Sequence, residues 1–507
     1  MDTMRWSRGV CLTALAALVS LATLVGCSQP DNSITSVEAA QNAKIGVMTG
    51  TTGEAIATLR FPNAQVKSFD DVMDAVAAMK SGQLDAVITS YPTCVQVAKK
   101  NPEFSYLQEP LQNEETAIAL KKGNDALLAD VNRIIAELKA DGSLADMKKR
   151  WFKPDLSPYE EKTYAAPATG KVLKIGVSAT REPFSFIDKD GRVTGHDGEL
   201  ARLLGARLQR PVEFFNMKFM ALIPSLQSGK VDMLVTGMTA TAERKKSVDF
   251  TQPYFDNAQL LLVKKPPAAS AGGGSAVSSI YKSFHSNLIQ ENRYLLILDG
   301  LKTTVVMSVF ATILGTMLGA LVCFMRMSTK PLLTVPARIY IAILRGTPVL
   351  VVLMLIYYVV FASVNIDPVL VAIIAFGMNF AAYAAEIFRT GIEGVDKGQS
   401  EAGIAMGFTK VNTFLWIILP QTIRRILPVY KGEFISLVKM TSIVGYIAVQ
   451  DLTKASDIIR SRTFDAFFPL VMVAILYFLI SWFLMQFLDH LERVTDPKYK
   501  REKGTSS

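Results

Sequence analysis

Pro266-Pro267-Ala268-Ala269-Ser270-Ala271-Gly272-Gly273-Gly274-Ser275-Ala276-Val277-Ser278-Ser279 divides this chain into two chemistries. Small residues without periodicity make a flexible tether over 266–279. Before it, across residues 44–265, short strand-like runs alternate with amphipathic helical patterns, which argues for α/β lobes. After it come apolar stretches. Thr303 to Met325 and Ala466 to Leu488 hold no charged residue, and each is longer than the roughly 20 residues needed to cross a bilayer. Gly346–Val364, Pro368–Ala385 and Phe434–Val449, the last containing Lys439, bring the expected spans to five. The expected fold is therefore an α/β part followed by an α-helical membrane domain.

The chain has 507 residues, enough for two or three domains. Half are hydrophobic, 20% are charged, and the net charge is 54 − 45 = +9. An excess of basic residues can signal nucleic acid. Here they flank apolar spans, which is the pattern of membrane topology, and no nucleic-acid partner is expected. With residue 265 outside the cell, the inner loops hold Arg326, Lys330, Arg338, Arg389, Lys397, Lys410, Arg424 and Arg425, and the tail 491–507 holds Arg493, Lys498, Lys500, Arg501 and Lys503. The outer loops hold Lys454, Arg460 and Arg462. That bias puts the C-terminus in the cytoplasm.

Residues 1–27 read as an export signal: Arg5 and Arg8 precede the apolar run Val10 to Val25. Its end, Leu24-Val25-Gly26-Cys27, resembles a bacterial lipobox, which implies cleavage and lipid modification of Cys27. The alternative is an uncleaved signal anchor. Either way the next segment lies outside the cytoplasm, on a bacterial inner membrane.

Cys11, Cys27, Cys94 and Cys323 are scattered, as are His196, His285 and His490. No spacing suits a metal or a disulfide framework. No G-x-x-x-x-G-K-[ST] occurs, so no nucleotide or other cofactor is expected in this chain.

Within 44–265, Lys44–Met48, Asp85–Ile88, Val172–Val177, Glu213–Phe215 and Asp232–Val235 read as strands. Val72, Val76, Ala77 and Met79 give one helical face, with Ser68 and Asp71 placed as a capping box. Val131, Ile134, Ile135 and Leu138 give another, ending near Gly142. A third runs from Asp197 to Leu208.

The largest inner loop reads Glu401-Ala402-Gly403, then Gly407, then Ile417, Leu419 and Pro420. This resembles the EAA loop of type-1 ABC importer permeases, with Gly403 where Ala is usual. Arg345-Gly346-Thr347-Pro348, Ala382-Tyr383-Ala384-Ala385-Glu386, Gly398-Gln399-Ser400 and Lys439-Met440-Thr441-Ser442 look like the polar amino acid permeases, although that family usually has Asp where Met440 stands. The resemblance covers 298–488 and defines a permease domain over 295–490. It implies that Glu401, Ala402, Gly403 and Gly407 form a helix that docks into a cytoplasmic ABC ATPase on a separate chain, and that the permease pairs with itself or a relative.

Residues 44–265 resemble the periplasmic amino-acid-binding proteins. The matching runs are Leu222–Asp232, Gly237-Met238-Thr239-Ala240-Thr241-Ala242-Glu243-Arg244 and Val248-Asp249-Phe250. The resemblance implies a type II bilobal fold in which Arg244 grips the ligand's α-carboxylate, helped by Thr239 and Gly237. Arg suits this, because its planar fork matches two carboxylate oxygens. Phe219 matches an aromatic against the ligand side chain. In the other lobe, Thr51 and Thr52 stand in the turn Thr49–Glu54, where a helix start favours an anion. Ser90 and Ser178 replace acidic residues that often hold the ligand ammonium, and Arg181 replaces a frequent aromatic. An acidic ligand, or one without a free ammonium, is therefore expected.

The halves come in unusual order. Residues 44–152 resemble lobe two plus the last helices, and 172–265 resemble lobe one. This is the order of a circular permutation, with 115–122 as the surviving crossover and 259–265 lying beside it. A domain swap between chains is the alternative. The expected function is the binding and membrane-spanning subunit of an ATP-driven importer for polar amino acids or related small carboxylates, without catalysis of its own. A ligand-gated channel uses the same bilobal fold but would carry a pore loop such as T-V-G-Y-G, which does not occur. An enzyme on this fold, such as a dehydratase, would leave the permease unexplained.

Overall fold

The computed structural model describes residues 34–152, 159–165, 167, 169–265, 281–465 and 467–495. The export signal with Cys27, the tether 266–279 and the end of the tail lie outside them.

Fourteen strands occur among the described residues: β1 (Lys44–Met48), β2 (Gln65–Phe69), β3 (Ala86–Ser90), β4 (Phe104–Tyr106), β5 (Gln112–Thr116), β6 (Ala119–Leu120), β7 (Leu173–Val177), β8 (Thr180–Arg181), β9 (Ser185–Ile187), β10 (Val193–Thr194), β11 (Val212–Asn216), β12 (Met233–Leu234), β13 (Asp249–Phe250) and β14 (Phe255–Lys264). They build two main sheets, ordered β2-β1-β3-β14-β4, with β5 on β14, and β11-β7-β12-β6-β13. The chain uses Lys-Ile-Gly-Val in the same place in both. A Cβ on Gly46 would stand 2.5 Å from Leu84 Cδ1, and one on Gly176 would stand 2.6 Å from Leu234 Cδ2. Both glycines let side chains close directly onto a sheet.

Each lobe is completed from the other end of the sequence. β14 enters the sheet of β1 and β3, while β6 enters the sheet of β7 and β12. The helices Asp125–Ala140 and Ser143–Trp151 follow β6, and their Val131, Ile135, Leu138 and Trp151 share a core with Ile175, Val177 and Leu200. Thus 44–152 and 172–265 are not two separate globules. The two crossings lie side by side, at 112–116 and 255–259 rather than at the expected 115–122 and 259–265: β5 and β14 pair antiparallel from Phe255↔Thr116 to Gln259↔Gln112. At the far end Val263 and Ile45 both stand opposite Ala86 of β3, so Lys44 starts only about 10 Å from the end of β14.

The capping expectation needs one correction. Asp71 alone caps α2 (Val72–Lys80), accepting from the Met73 N–H at 2.9 Å. Ser68 instead donates to Glu54 at the start of α1 (Thr52–Arg60), because β2 carries it toward β1.

The C-terminal part is helical. Among the described residues three unbroken helices are long and apolar enough to span: Tyr294–Met327, Pro368–Glu393 and Phe468–His490. The first two pack closely through small residues: a Cβ on Gly315 would meet Gly377 O at 2.7 Å, and one on Gly319 would meet Ala384 Cβ at 2.8 Å. The other two expected spans, 346–364 and 434–449, are not straight. Pro331–Gly346 and Val349–Val360 meet at 111°. Thr347 is extended there (φ −109°, ψ 134°), as the residue before Pro348 must tend to be. The segment Lys410–Ile447 meets Leu452–Thr463 at 55°, after 3₁₀ turns at Thr441–Ile447 and a left-handed Ala448 (φ 63°). By length and composition the described residues thus offer three helices able to span, or up to five if each bent pair counts as one span.

Candidate functional site

The two crossings and the tips of both sheets enclose a cleft. From the β7 side come Arg181, Phe219, Gly237, Thr239 and Arg244; from the β1 side come Thr51, Thr52 and Ser90. Gly237 turns the chain with φ +60°, a left-handed angle that suits glycine. Thr241 then caps the short turn Ala242–Lys245, accepting from the Arg244 N–H at 3.2 Å, and this aims the Arg244 side chain inward.

Arg244 spans the cleft. Its Nη1 donates to Thr239 O at 2.8 Å and its Nη2 to Gly50 O of the opposite lobe at 2.7 Å. Its guanidinium lies 5.5 Å from the Phe219 ring centre, a cation–π distance. Arg181 enters beside it, over Phe184 at 5.5 Å, with Nη1 3.4 Å from both Thr236 O and Gly237 O. Burial pushes both guanidiniums below the ordinary arginine range. Asp197 draws Arg181 back most, and Glu114 draws Arg244 back.

Eight of the nine expected ligand-binding residues thus line one cavity. Ser178 does not. It is buried outside that cavity, and its backbone N–H donates to Thr236 Oγ1 at 3.0 Å. Seven further residues line the cavity that were not expected to bind ligand, among them the polar Glu114, Asn257 and Gln259. All three sit on the paired crossings. Glu114 is 5% exposed. Its Oε2 accepts from Thr239 Oγ1 at 2.9 Å and Gln259 Nε2 at 3.1 Å, while its Oε1 has no partner. The cavity holds about 30 Å³, so the lobes are shut nearly to contact.

The closed lobes sit on the helical part. Asp70 and Asp74, beside and within α2, meet Tyr446 and Arg460 at 2.8 and 2.6 Å. From the other lobe, Lys218 reaches Asp457 at 2.9 Å and Lys174 reaches Asn365 at 2.5 Å. Lys230 donates to Val364 O at 2.8 Å and to Phe361 O. Helix Leu452–Thr463 therefore holds a charged contact to each lobe. Burial pushes Lys218 down, but Asp457 and Asp71 outweigh it and leave its value raised.

At the other end, Lys397–Ala405 is a helix capped by Asp396, which accepts from the Gly398 N–H at 2.7 Å. It ends in a Schellman turn: Gly407 N donates to Ile404 O at 2.9 Å, Phe408 N donates to Gly403 O at 3.1 Å, and Gly407 has φ +90°. Glu401 and Ala402 face outward. Gly403 faces inward, where a Cβ would meet Thr413 Cγ2 at 2.6 Å. That contact explains glycine at the motif's third position. Ile404, Met406 and Phe408 are exposed around it.

The profile of the bacterial extracellular solute-binding proteins, family 3, matches residues 55–154 and 173–426. The probable amino-acid ABC transporter permease protein YckA of Bacillus subtilis (strain 168) is 35% identical over 198 residues, covering 39% of this chain and 88% of that protein. The glutamine transport system permease protein GlnP of Escherichia coli (strain K12) is 34% identical over 201 residues, covering 39% of this chain and 92% of that protein. Among solved structures, an amino acid ABC transporter with histidines is 33% identical, covers 44% of this chain and 99% of its own, and has a TM-score of 0.38.

Proposed function

This chain belongs to the family 3 extracellular solute-binding proteins, joined here to an amino-acid ABC transporter permease, and on that premise we propose that it binds an amino acid or small carboxylate outside the cell and passes it through its own membrane domain by ATP-driven import. The observation that carries the reading is the seat of the closed lobes on the helical part. Arg460 and Asp457, on one short helix, ion-pair with opposite lobes. A ligand that shuts the cleft would complete both contacts together, which links occupancy to the permease.

In this reading Arg244, Thr239, Gly237, Thr51 and Thr52 take the ligand's α-carboxylate, Phe219 packs on its side chain, and Ser90 and Arg181 face the rest. Thr51 and Thr52 stand at the start of α1, where helix N–H groups favour an anion. Glu401, Ala402, Gly403 and Gly407 form the face for a cytoplasmic ATPase dimer on another chain. The exposed Ile404, Met406 and Phe408 beside them support such a docking face. Two copies of the membrane domain, or one copy with a relative, enclose the pathway, each contributing five spans.

Arg460 and Asp457 meet the lobes, which agrees with an external binding domain and a cytoplasmic docking helix. Cys27 would add a lipid anchor. The lobe order is a circular permutation, supported by the closeness of Lys44 to the end of β14 and by the pairing of β5 with β14.

The test is uptake of labelled amino acids into proteoliposomes holding this chain and its ATPase. ATP-dependent accumulation is expected. Passive, ATP-independent flux of ions on adding ligand would overturn the import reading.

A further inference from the structure

The cleft contains more charge than one amino-acid carboxylate needs. Arg181 and Arg244 flank the turn at Gly237–Thr239, and both line the cavity. Neither forms an ion pair among the described residues: their donors meet only backbone carbonyls. For Arg181 those contacts are at 3.4 Å, at the weak limit of a hydrogen bond. Asp197, the buried carboxylate near Arg181, meets Tyr254 and His196 through Oδ1 at 3.0 Å, has no partner on Oδ2, and does not line the cavity. Two guanidiniums facing one small space repel each other until an anion reaches both.

The same cavity contains one carboxylate oxygen without a partner. Glu114 Oε1 is buried, while Oε2 is fixed by Thr239 and Gln259. Asn257 Oδ1, also on the cavity wall, is likewise buried without a partner. Leaving such acceptors unmade is costly, so they mark where a donor is to come. An ammonium supplies that donor. The residue replacing the usual acidic ligand group thus comes from a crossing strand, not from the strand ends where Ser90 and Ser178 stand.

We infer that the cleft is built for an amino dicarboxylate of the aspartate or glutamate type, with Arg244 on the α-carboxylate, Arg181 on the side-chain carboxylate and Glu114 on the ammonium. This rests on the importer reading and narrows its substrate. A cationic side chain would meet Arg181 with like charge. A neutral amide would leave Arg181 with Asp197, which does not reach it, as its strongest opposing charge.

Calorimetry on the full chain in nanodiscs tests it, with L-glutamate, L-aspartate, L-glutamine, L-arginine and glutarate as probes. One of the two dicarboxylates should bind at least about 30-fold tighter than glutamine, the loss expected when one partner of a buried charge pair is missing. Arg181→Gln should bring glutamate and glutamine within about threefold. Arg181→Lys should keep part of the preference, and thermal melts of both variants should match wild type. Glu114→Gln should weaken glutamate more than glutarate, which has no ammonium. Glutamine or arginine binding as tightly as both dicarboxylates would overturn the inference and leave the importer reading standing. So would an Arg181→Gln variant that melts like wild type and loses glutamate and glutamine equally. Failure of every amino acid to bind would overturn the importer reading itself.

Discussion

Arg460 Nη2 lies 2.6 Å from Asp74 Oδ1, although 386 residues separate the two in sequence. The guanidinium is almost fully buried and the carboxylate is partly open to solvent. One helix turn away, Asp457 accepts from Lys218 of the other lobe at 2.9 Å.

Arg460→Ala should therefore uncouple the cleft from transport. The loss is about 2 kcal/mol, at the low end for a buried pair because Asp74 is partly solvated. Ligand-stimulated ATP hydrolysis should fall roughly 30-fold, while calorimetric affinity stays within a factor of two or so. The swapped pair Asp74→Arg with Arg460→Asp should recover part of the stimulation. Full stimulation in the single variant would contradict this role.

Arg244→Ala removes the proposed carboxylate clamp and a lobe-to-lobe hydrogen bond to Gly50. Binding of any carboxylate ligand should weaken by about 30-fold to several thousand-fold. Titration calorimetry on the full chain measures it, with a thermal melt as the control for folding.

Gly403→Leu should disturb only the docking face. Its Cβ would overlap Thr413, and overpacking costs about 1–3 kcal/mol. Gly407→Asp adds the roughly 1–2 kcal/mol of left-handed backbone at φ +90°. Either variant should retain ligand affinity and lose ATP-driven uptake. Proteoliposome transport alongside calorimetry separates the two effects.

Arg150 clamps Glu199 through Nη1 at 2.8 Å and Nη2 at 2.5 Å, and Trp151 and Tyr164 add donors at 2.7 and 2.9 Å. Burial pushes the Glu199 carboxyl up, but these bonds outweigh it and hold it below its ordinary 4.5. Its contribution to stability is therefore complete above pH 4.5 and lost as pH falls through the lower folded value. Arg150→Ala strands a buried carboxylate and should cost about 3–5 kcal/mol. It should also remove that acid sensitivity, as followed by tryptophan fluorescence during melts.

Local patterns carried most of the fold. Lys44–Met48 and the helix ending before Gly142 were readable from residue type and spacing alone. Arg244 and its neighbours were readable because the run from Gly237 is continuous. Glu114 was not. Its strand, Gln-Asn-Glu-Glu-Thr, looks like a polar surface loop, and Glu114 is buried only because Asn257, about 140 positions later, pairs opposite it. Ser178 failed for a related reason: the direction of a strand-end side chain depends on its neighbour strand. The bend at Thr347 was masked by unbroken hydropathy, since Pro348 interrupts backbone geometry without lowering apolarity.

The binding domain's two chain ends have a mechanical consequence. β1 begins at Lys44 and β14 finishes at Lys264 in the same sheet. Any leash to the bilayer, whether through the N-terminal side or through the tether, therefore pulls on the same arm. The other arm has no covalent attachment except the two crossing strands. That other arm is instead held to the helical part by Lys174, Lys218 and Lys230, so one arm is tied by chain and the other by contacts that can break and re-form.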